Sequence, residues 1–167
     1  MIQGYLLDTN IFGYLLNTSC PEHTIVHKKY QQLPSDTPLR TSLVVLGEVT
    51  YGFHVAPHKN KTYPKAVLDF IRNEFPSPLS IRPSTTQIYG QLRAALFEKY
   101  APKKRQKGLR PEQLIDPVTA ESLGIQENDL WIVSQALERN LVLVTNDKMN
   151  HLCSIASDLK VENWTMP

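Results

Sequence analysis

The apolar positions along this chain fall in short runs whose period changes from one segment to the next. Tyr5-Leu6-Leu7 reads as a short buried strand, and the stretch from Thr9 to Leu16 reads as a helix. A polar helix is expected over Glu22 to Leu33, and an extended piece at Leu39-Arg40-Thr41. Ser42 is placed to cap a helix running to about Phe53. Its apolar positions 43, 44, 45, 46 and 49 cover more than one face, which predicts a largely buried helix. Pro57 to Asn60 is a loop, and Pro64 opens a helix with Val67, Leu68, Phe70 and Ile71 as its apolar side. Leu79-Ser80-Ile81 has the composition of a strand. Ser84-Thr85-Thr86-Gln87 fits a capping box ahead of Ile88, Leu92, Ala95 and Leu96 at helical spacing. Asn128 or Asp129 opens a helix that reaches Arg139 and stops at Asn140. Leu141-Val142-Leu143-Val144 is the clearest strand, followed by a short helix near Lys148 to Ile155 and an edge strand over Val161 to Trp164. Strands alternating with helices predict an α/β domain with a mainly parallel sheet.

At 167 residues the chain has the length of one domain, spanning 1–167. Its 41% hydrophobic and 20% charged residues exclude a disordered chain, a coiled coil and a collagen-like repeat. Apolar runs stop at about four residues, as in Leu43-Val44-Val45-Leu46, so no membrane span is expected. The N-terminus shows no basic flank followed by a long apolar stretch, so no signal peptide is expected either. Cys20 and Cys153 are too few for a disulfide scaffold and read as free thiols in a reducing cytoplasm.

The chemistry suggested by the sequence lies in its acids. Asp8 follows the first strand, Asp147 follows the clearest strand after Thr145 and Asn146, and Asp129 opens the helix before that strand. In open parallel sheets the carboxyl ends of the strands form the ligand crevice, so Asp8 and Asp147 are expected in one region. Glu48 differs in sitting among apolar neighbours, where an unpaired charge costs several kcal/mol to bury. Two carboxylates about 4 Å apart repel by roughly 4 kcal/mol at an effective dielectric near 20. No lysine or arginine flanks these acids, and a divalent cation would relieve the repulsion. Ligands that are all oxygen favour Mg²⁺ or Mn²⁺ over zinc. Each acid also has a plainer reading: Asp8 and Asp129 as helix caps, Asp147 as a turn residue, and Glu48 as a side chain reaching solvent.

These segments resemble a known family. Tyr5-Leu6-Leu7-Asp8-Thr9-Asn10-Ile11 is similar to the opening of PIN-domain nucleases. Ser42 to Tyr51, with Gly47-Glu48-Val49, resembles their second acidic motif. Glu127-Asn128-Asp129-Leu130-Trp131-Ile132 resembles the third, and Leu143-Val144-Thr145-Asn146-Asp147 the fourth. The ending Val161-Glu162-Asn163-Trp164 resembles the bacterial toxin branch, the VapC-type ribonucleases of type II toxin–antitoxin pairs. The resemblance implies a PIN-like three-layer α/β/α sandwich and a divalent-metal-dependent endoribonuclease that hydrolyses RNA. It makes Asp8, Glu48 and Asp129 the acidic triad and Asp147 a fourth, more variable acid, all as metal ligands. Asn10 and Thr145 would hold a ligand or the attacking water. Two ions roughly 4 Å apart can flank a scissile phosphate, and the count here stays open. A cognate antitoxin and a homodimer are implied partners. The alternatives are a PIN-fold nuclease of housekeeping RNA processing and an inactive PIN-fold binding protein.

Residues 101–124 depart from the toxin branch, in which this connection is short. Prolines at 102, 111 and 117 and the basic run Lys103, Lys104, Arg105, Lys107 and Arg110 predict an exposed excursion. Its plain reading is a solvated loop; its functional readings are an RNA-gripping arm or an antitoxin contact. Other motifs carry less. His23 and His27 are four apart without the glutamate of a zinc-protease motif, and Pro57 breaks any helix face shared by His54 and His58. No glycine-rich phosphate loop is present, and Trp131 reads as core rather than as a platform for bases. A phosphoacceptor receiver needs an acidic pair after the first strand, and a haloacid-dehalogenase-like phosphatase needs Asp-x-Asp. Leu7-Asp8-Thr9-Asn10 supplies neither.

Overall fold

The computed structural model describes residues 3–102 and 108–166, the side chain of Lys59 excepted. The basic residues Lys103, Lys104, Arg105 and Lys107 lie outside the described residues.

Four short strands, β1 (Tyr5–Leu7), β2 (Leu39–Arg40), β3 (Val142–Val144) and β4 (Lys160–Glu162), form one sheet in the order β2-β1-β3-β4. Every pairing is parallel, with Tyr5 opposite Leu39 on one side and Val142 on the other, and Val142 opposite Lys160. Parallel neighbours require crossovers, and helices supply them. These are α1 (Thr9–Leu16), α2 (His23–Gln32), α3 (Leu43–Val55), α4 (Thr62–Glu74), α5 (Pro83–Tyr100), α6 (Glu127–Glu138) and α7 (Asn150–Cys153). Successive side chains of a strand point to opposite faces. Leu6 and Leu7, and all three residues of β3, are buried, so the central strands are covered on both faces. That explains why they read as unbroken apolar runs rather than as alternation.

Local chemistry accounts for the element ends. Gly4 adopts a positive φ of 126° beside Pro38, and a Cβ there would lie 2.2 Å from the Pro38 carbonyl oxygen. Only glycine lets β1 start this close, with Tyr5 N–H donating to that carbonyl at 2.9 Å. Ser42 caps α3, its Oγ accepting from Val44 N–H at 2.9 Å. Pro83 occupies the first turn of α5, where its missing N–H costs nothing, and Thr85 Oγ1 accepts from Arg82 N–H at 3.0 Å. The capping box expected at Ser84 thus starts two residues earlier, at Arg82, and the Ser84 hydroxyl donates to Glu138 instead. Helix α4 likewise starts at Thr62, ahead of Pro64. Phe12, fully buried, meets Phe75 edge-on at 5.4 Å and Phe70 at 6.4 Å, tying α1 to α4 and its end.

Three expectations change. Helix α3 is not largely buried: Val45 and Val49 face the core, but Leu43, Tyr51 and Val55 are 48%, 69% and 58% exposed. Leu79-Ser80-Ile81 is not a strand but a single parallel bridge from Leu79 to Ser42. The described part of the excursion, 108–124, keeps Ile115 and Val118 in solvent but is pinned to the core by Pro111, Leu114 and Leu123. An antiparallel bridge between Ile115 and Ser122 turns the chain back so that both leucines point inward. Cys20 and Cys153 are free thiols. Among the described residues no helix is long and apolar enough to cross a membrane.

Candidate active site

The strand order places the site. From β1 the chain runs outward to β2 on one side and later returns to β3 on the other, so the crevice opens where the carboxyl ends of β1 and β3 diverge. Asp8 leaves β1 at this point, and its N–H donates to the Val144 carbonyl at 3.0 Å. The same residue caps α1, with Oδ1 accepting from Thr9 N–H at 2.7 Å. Its other oxygen accepts from the Thr145 hydroxyl at 2.7 Å. The plain reading as a helix cap is therefore correct for Asp8, and it does not compete with the functional one: capping aims the carboxylate into the crevice.

Asp129 is set by the same device. It is the third residue of α6, and its Oδ2 accepts from Gln126 N–H at 2.7 Å across the first turn. Glu48 arrives from the middle of α3, accepting from the Thr9 hydroxyl and from Asn128 Nδ2, the latter at 2.8 Å. Asp147 Oδ2 accepts from Asn10 Nδ2 at 3.1 Å. Thr145 Oγ1, wholly buried, accepts from Asn10 Nδ2 and from Asp147 N–H, both at 3.1 Å, while donating to Asp8. Asn10 completes the link by accepting from Asn146 N–H at 3.2 Å. All four acids and Asn10 line one cavity of about 320 Å³.

The structure thus brings together each acid singled out in the sequence, with Thr145 joining Asp8 to Asp147. Sequence reasoning missed the part played by Thr9 and Asn128, which hold the two oxygens of Glu48. The available signal was Glu48 itself, since a carboxylate among apolar neighbours needs nearby donors. His23 and His27 lie away from this crevice, with their rings 5.3 Å apart and His23 Nδ1 against the Tyr14 carbonyl. Trp131 stacks on Tyr89 with ring centroids 3.8 Å apart.

Crowded negative charge leaves an electrostatic mark. Asp8, only 4% exposed, has its carboxyl pushed up to about 6, chiefly by burial. Repulsion from Asp147 and Glu48 adds to this, against the lowering effect of the Thr145 and Thr9 hydrogen bonds. Asp129 rises to about 7, again chiefly by burial, with repulsion from Asp8, Asp147 and Glu48 opposed by the Gln126 hydrogen bond. None of the four acids forms a salt bridge among the described residues. Nor do three such side chains there meet around a single point as a ready-made metal cage, since each carboxylate is held by its own neutral donor. The donor set is still that of a site for a hard cation: carboxylate oxygens in excess, with no nitrogen or sulfur ligand among them.

Known proteins share this arrangement of elements. The chain is 29% identical to Ribonuclease VapC2 of Rickettsia felis over 160 residues, covering 96% of this chain and 97% of that one. It matches the structure of VapBC2 from Rickettsia felis, bound to a DNA fragment from its promoter, with a TM-score of 0.67 at 29% identity, over 98% of this chain and 99% of that one. A likeness in fold extends to VapBC-1 from nontypeable Haemophilus influenzae, with a TM-score of 0.66 at 24% identity, over 99% and 100% of the two chains. The PIN domain model matches residues 5–156, a span that begins at β1 and takes in all four acids, and the chain belongs to the PIN domain family.

Proposed function

We propose that this chain is a divalent-metal-dependent endoribonuclease that acts as the toxin of a toxin–antitoxin pair. The observation that carries the reading is the convergence of Asp8, Glu48, Asp129 and Asp147, from four separate segments, in one crevice with no cationic partner among the described residues. A relative of nearly equal length that bears the name ribonuclease, and structural neighbours that are toxin–antitoxin complexes, support it.

Asp8, Glu48, Asp129 and Asp147 would hold Mg²⁺ or Mn²⁺, which when bound supplies an activated water and neutralises charge on the phosphate oxygens. The chain's own residues prepare that site. Thr145 and Asn10 fix the Asp8 and Asp147 carboxylates relative to each other, and Thr9 with Asn128 fixes Glu48. With their carboxyls raised to about 6 and about 7, Asp8 and Asp129 hold protons increasingly as pH falls below neutrality, so cation affinity should weaken on acidification. The chain acts as one domain in the cytoplasm, as a homodimer. The exposed Leu43, Tyr51 and Val55, spaced along one side of α3, offer an apolar stripe for a second copy.

Cleavage of mixed RNA substrates with Mg²⁺, with Mn²⁺ and with excess chelator tests the reading. Metal-dependent cleavage that is lost in Glu48→Gln and Asp129→Asn is expected; undiminished cleavage in chelator would overturn it. Co-expression with the neighbouring reading frame tests the toxin role, with restored growth as the expected result.

A further inference from the structure

At the edge of the sheet opposite the acidic crevice lies a second cavity of about 550 Å³. Gln3, just before β1, and Leu141, just before β3, place it at the amino ends of the strands. Three arginines from separate segments line it: Arg40 in β2, Arg82 at the cap of α5 and Arg139 just past α6.

This cluster holds more positive charge than the fold uses. Glu138 accepts from Arg139 Nη1 and from the Ser84 and Thr85 hydroxyls, so its hydrogen bonds are made without Arg40 or Arg82. Among the described residues neither Arg40 nor Arg82 forms a salt bridge. Arg139 is held in place, with Nη2 donating to the Ser80 carbonyl at 3.0 Å. Burial, and then repulsion from Arg82, push its guanidinium below the ordinary range despite the presence of Glu138. Neutralising Glu138 is a structural role for Arg139, which bonds it, and in part for Arg82, whose charge also favours the ionised carboxylate; one carboxylate still leaves two of the three positive charges unbalanced. Two buried polar groups lie next to the lining residue Leu79, behind the cavity wall rather than in it. Leu79 donates its N–H to the Thr41 carbonyl and accepts from Gln135 Nε2, and Thr41 Oγ1 and Gln135 Oε1 are buried without a hydrogen-bond partner among the described residues.

We propose that this cavity binds a phosphate group carried by a ligand of nucleotide size, gripped by Arg40, Arg82 and Arg139. A carboxylate is satisfied by one guanidinium fork, whereas three forks around one cavity match a group with more oxygens and a second charge. The volume falls in the range of ligand pockets and exceeds what a bare phosphate fills. Leu79 and Leu141 offer an apolar surface to the rest of the ligand. The phosphate belongs either to a free nucleotide or to one link of a nucleic-acid strand, since the recognising chemistry is the same.

The test is a titration of the full chain, in chelator, with inorganic phosphate against chloride at matched ionic strength. It is followed through the ¹⁵Nε resonances of the three arginines. Phosphate should shift all three, and Arg40→Gln/Arg82→Gln should weaken binding roughly tenfold or more. Both substituted side chains are exposed, so the variant should fold as the parent does. Arginine signals indifferent to phosphate, or equal affinity in the double variant, would overturn the proposal. If 5′-AMP binds tighter than phosphate with the same shifts, the source is a free nucleotide. If instead a single-stranded oligoribonucleotide loses affinity in the double variant while 5′-AMP binds no better than phosphate, the source is a strand. These titrations read binding and not cleavage, so they stand or fall separately from the nuclease assignment.

Discussion

Replacing Asp8 with asparagine should change the stability of the metal-free protein by an amount that depends on pH and reverses sign. The Asp8 carboxyl titrates at about 6 in the folded chain, against an ordinary value of 3.8. At roughly 1.4 kcal/mol per pH unit, that gap amounts to about 3 kcal/mol. Below pH ~4 the folded and unfolded chains both keep the proton, and the gap costs nothing. As pH rises from about 4 to 6, the unfolded chain releases a proton that the folded chain holds, so folding stability falls. Above about 6 to 7 both forms are ionised and the full penalty is present. Asparagine carries no charge and removes this penalty. It also disturbs the local hydrogen bonds. Thr145 Oγ1 already accepts from Asn10 and Asp147, so an amide N–H facing it has no free acceptor, and the Thr145 proton loses its carboxylate. That loss costs about 1–2 kcal/mol at any pH. Asp8→Asn should therefore stabilise the chain by about 1–2 kcal/mol at pH 8 and destabilise it by a similar amount near pH 4. Urea unfolding of both proteins in chelator, at several pH values between 4 and 8, measures the swing. A difference between the two proteins that stays flat across this range would refute the view that burial and neighbouring acids hold the Asp8 proton.

Glu48→Gln and Asp129→Asn should each abolish RNA cleavage while leaving the circular dichroism spectrum unchanged; full activity in either would remove that residue from the machinery. Mg²⁺ or Mn²⁺ at about one hundred times its dissociation constant should stabilise the fold by roughly 2.7 kcal/mol, and calorimetry without a shift in Tm would contradict a metal site in the crevice. Thr145→Val removes the hydroxyl that donates to Asp8, so the Asp8 carboxyl should titrate still higher and the pH profile of cleavage should move to higher pH. Serine at positions 103, 104, 105 and 107 should flatten the log-log salt dependence of RNA binding by up to roughly three, if all four cations meet phosphates on a single strand. An unchanged slope would return that segment to a solvated loop.

Much of the architecture was legible because its causes are local. β1 and β3 are short apolar runs, and Asp8 and Ser42 announce the helices they cap, α1 and α3. The four acids stood out for the same reason, each being placed at a strand end, at a helix start or in an apolar setting that short-range rules make visible. Which face of an element finds cover is a non-local matter, and there the pattern failed. The apolar residues of α3 span more than one face, but only Val45 and Val49 meet the core, and Leu43, Tyr51 and Val55 do not. Leu79-Ser80-Ile81 has strand composition, but a strand needs a partner along its length, and Ser42 provides one bridge before α3 turns away. Leu114 and Leu123 fall in the stretch whose prolines and basic run predict an exposed excursion, and only the Ile115–Ser122 bridge turns them into the core. The crevice divides in the same way. Its acids were written in the sequence, but the choice of Thr9 and Asn128 as the donors that hold Glu48 was made by packing residues 39 and 80 positions apart in the chain. Hydrogen bonds between such distant residues follow from how helices cross over a sheet, and no local pattern encodes that.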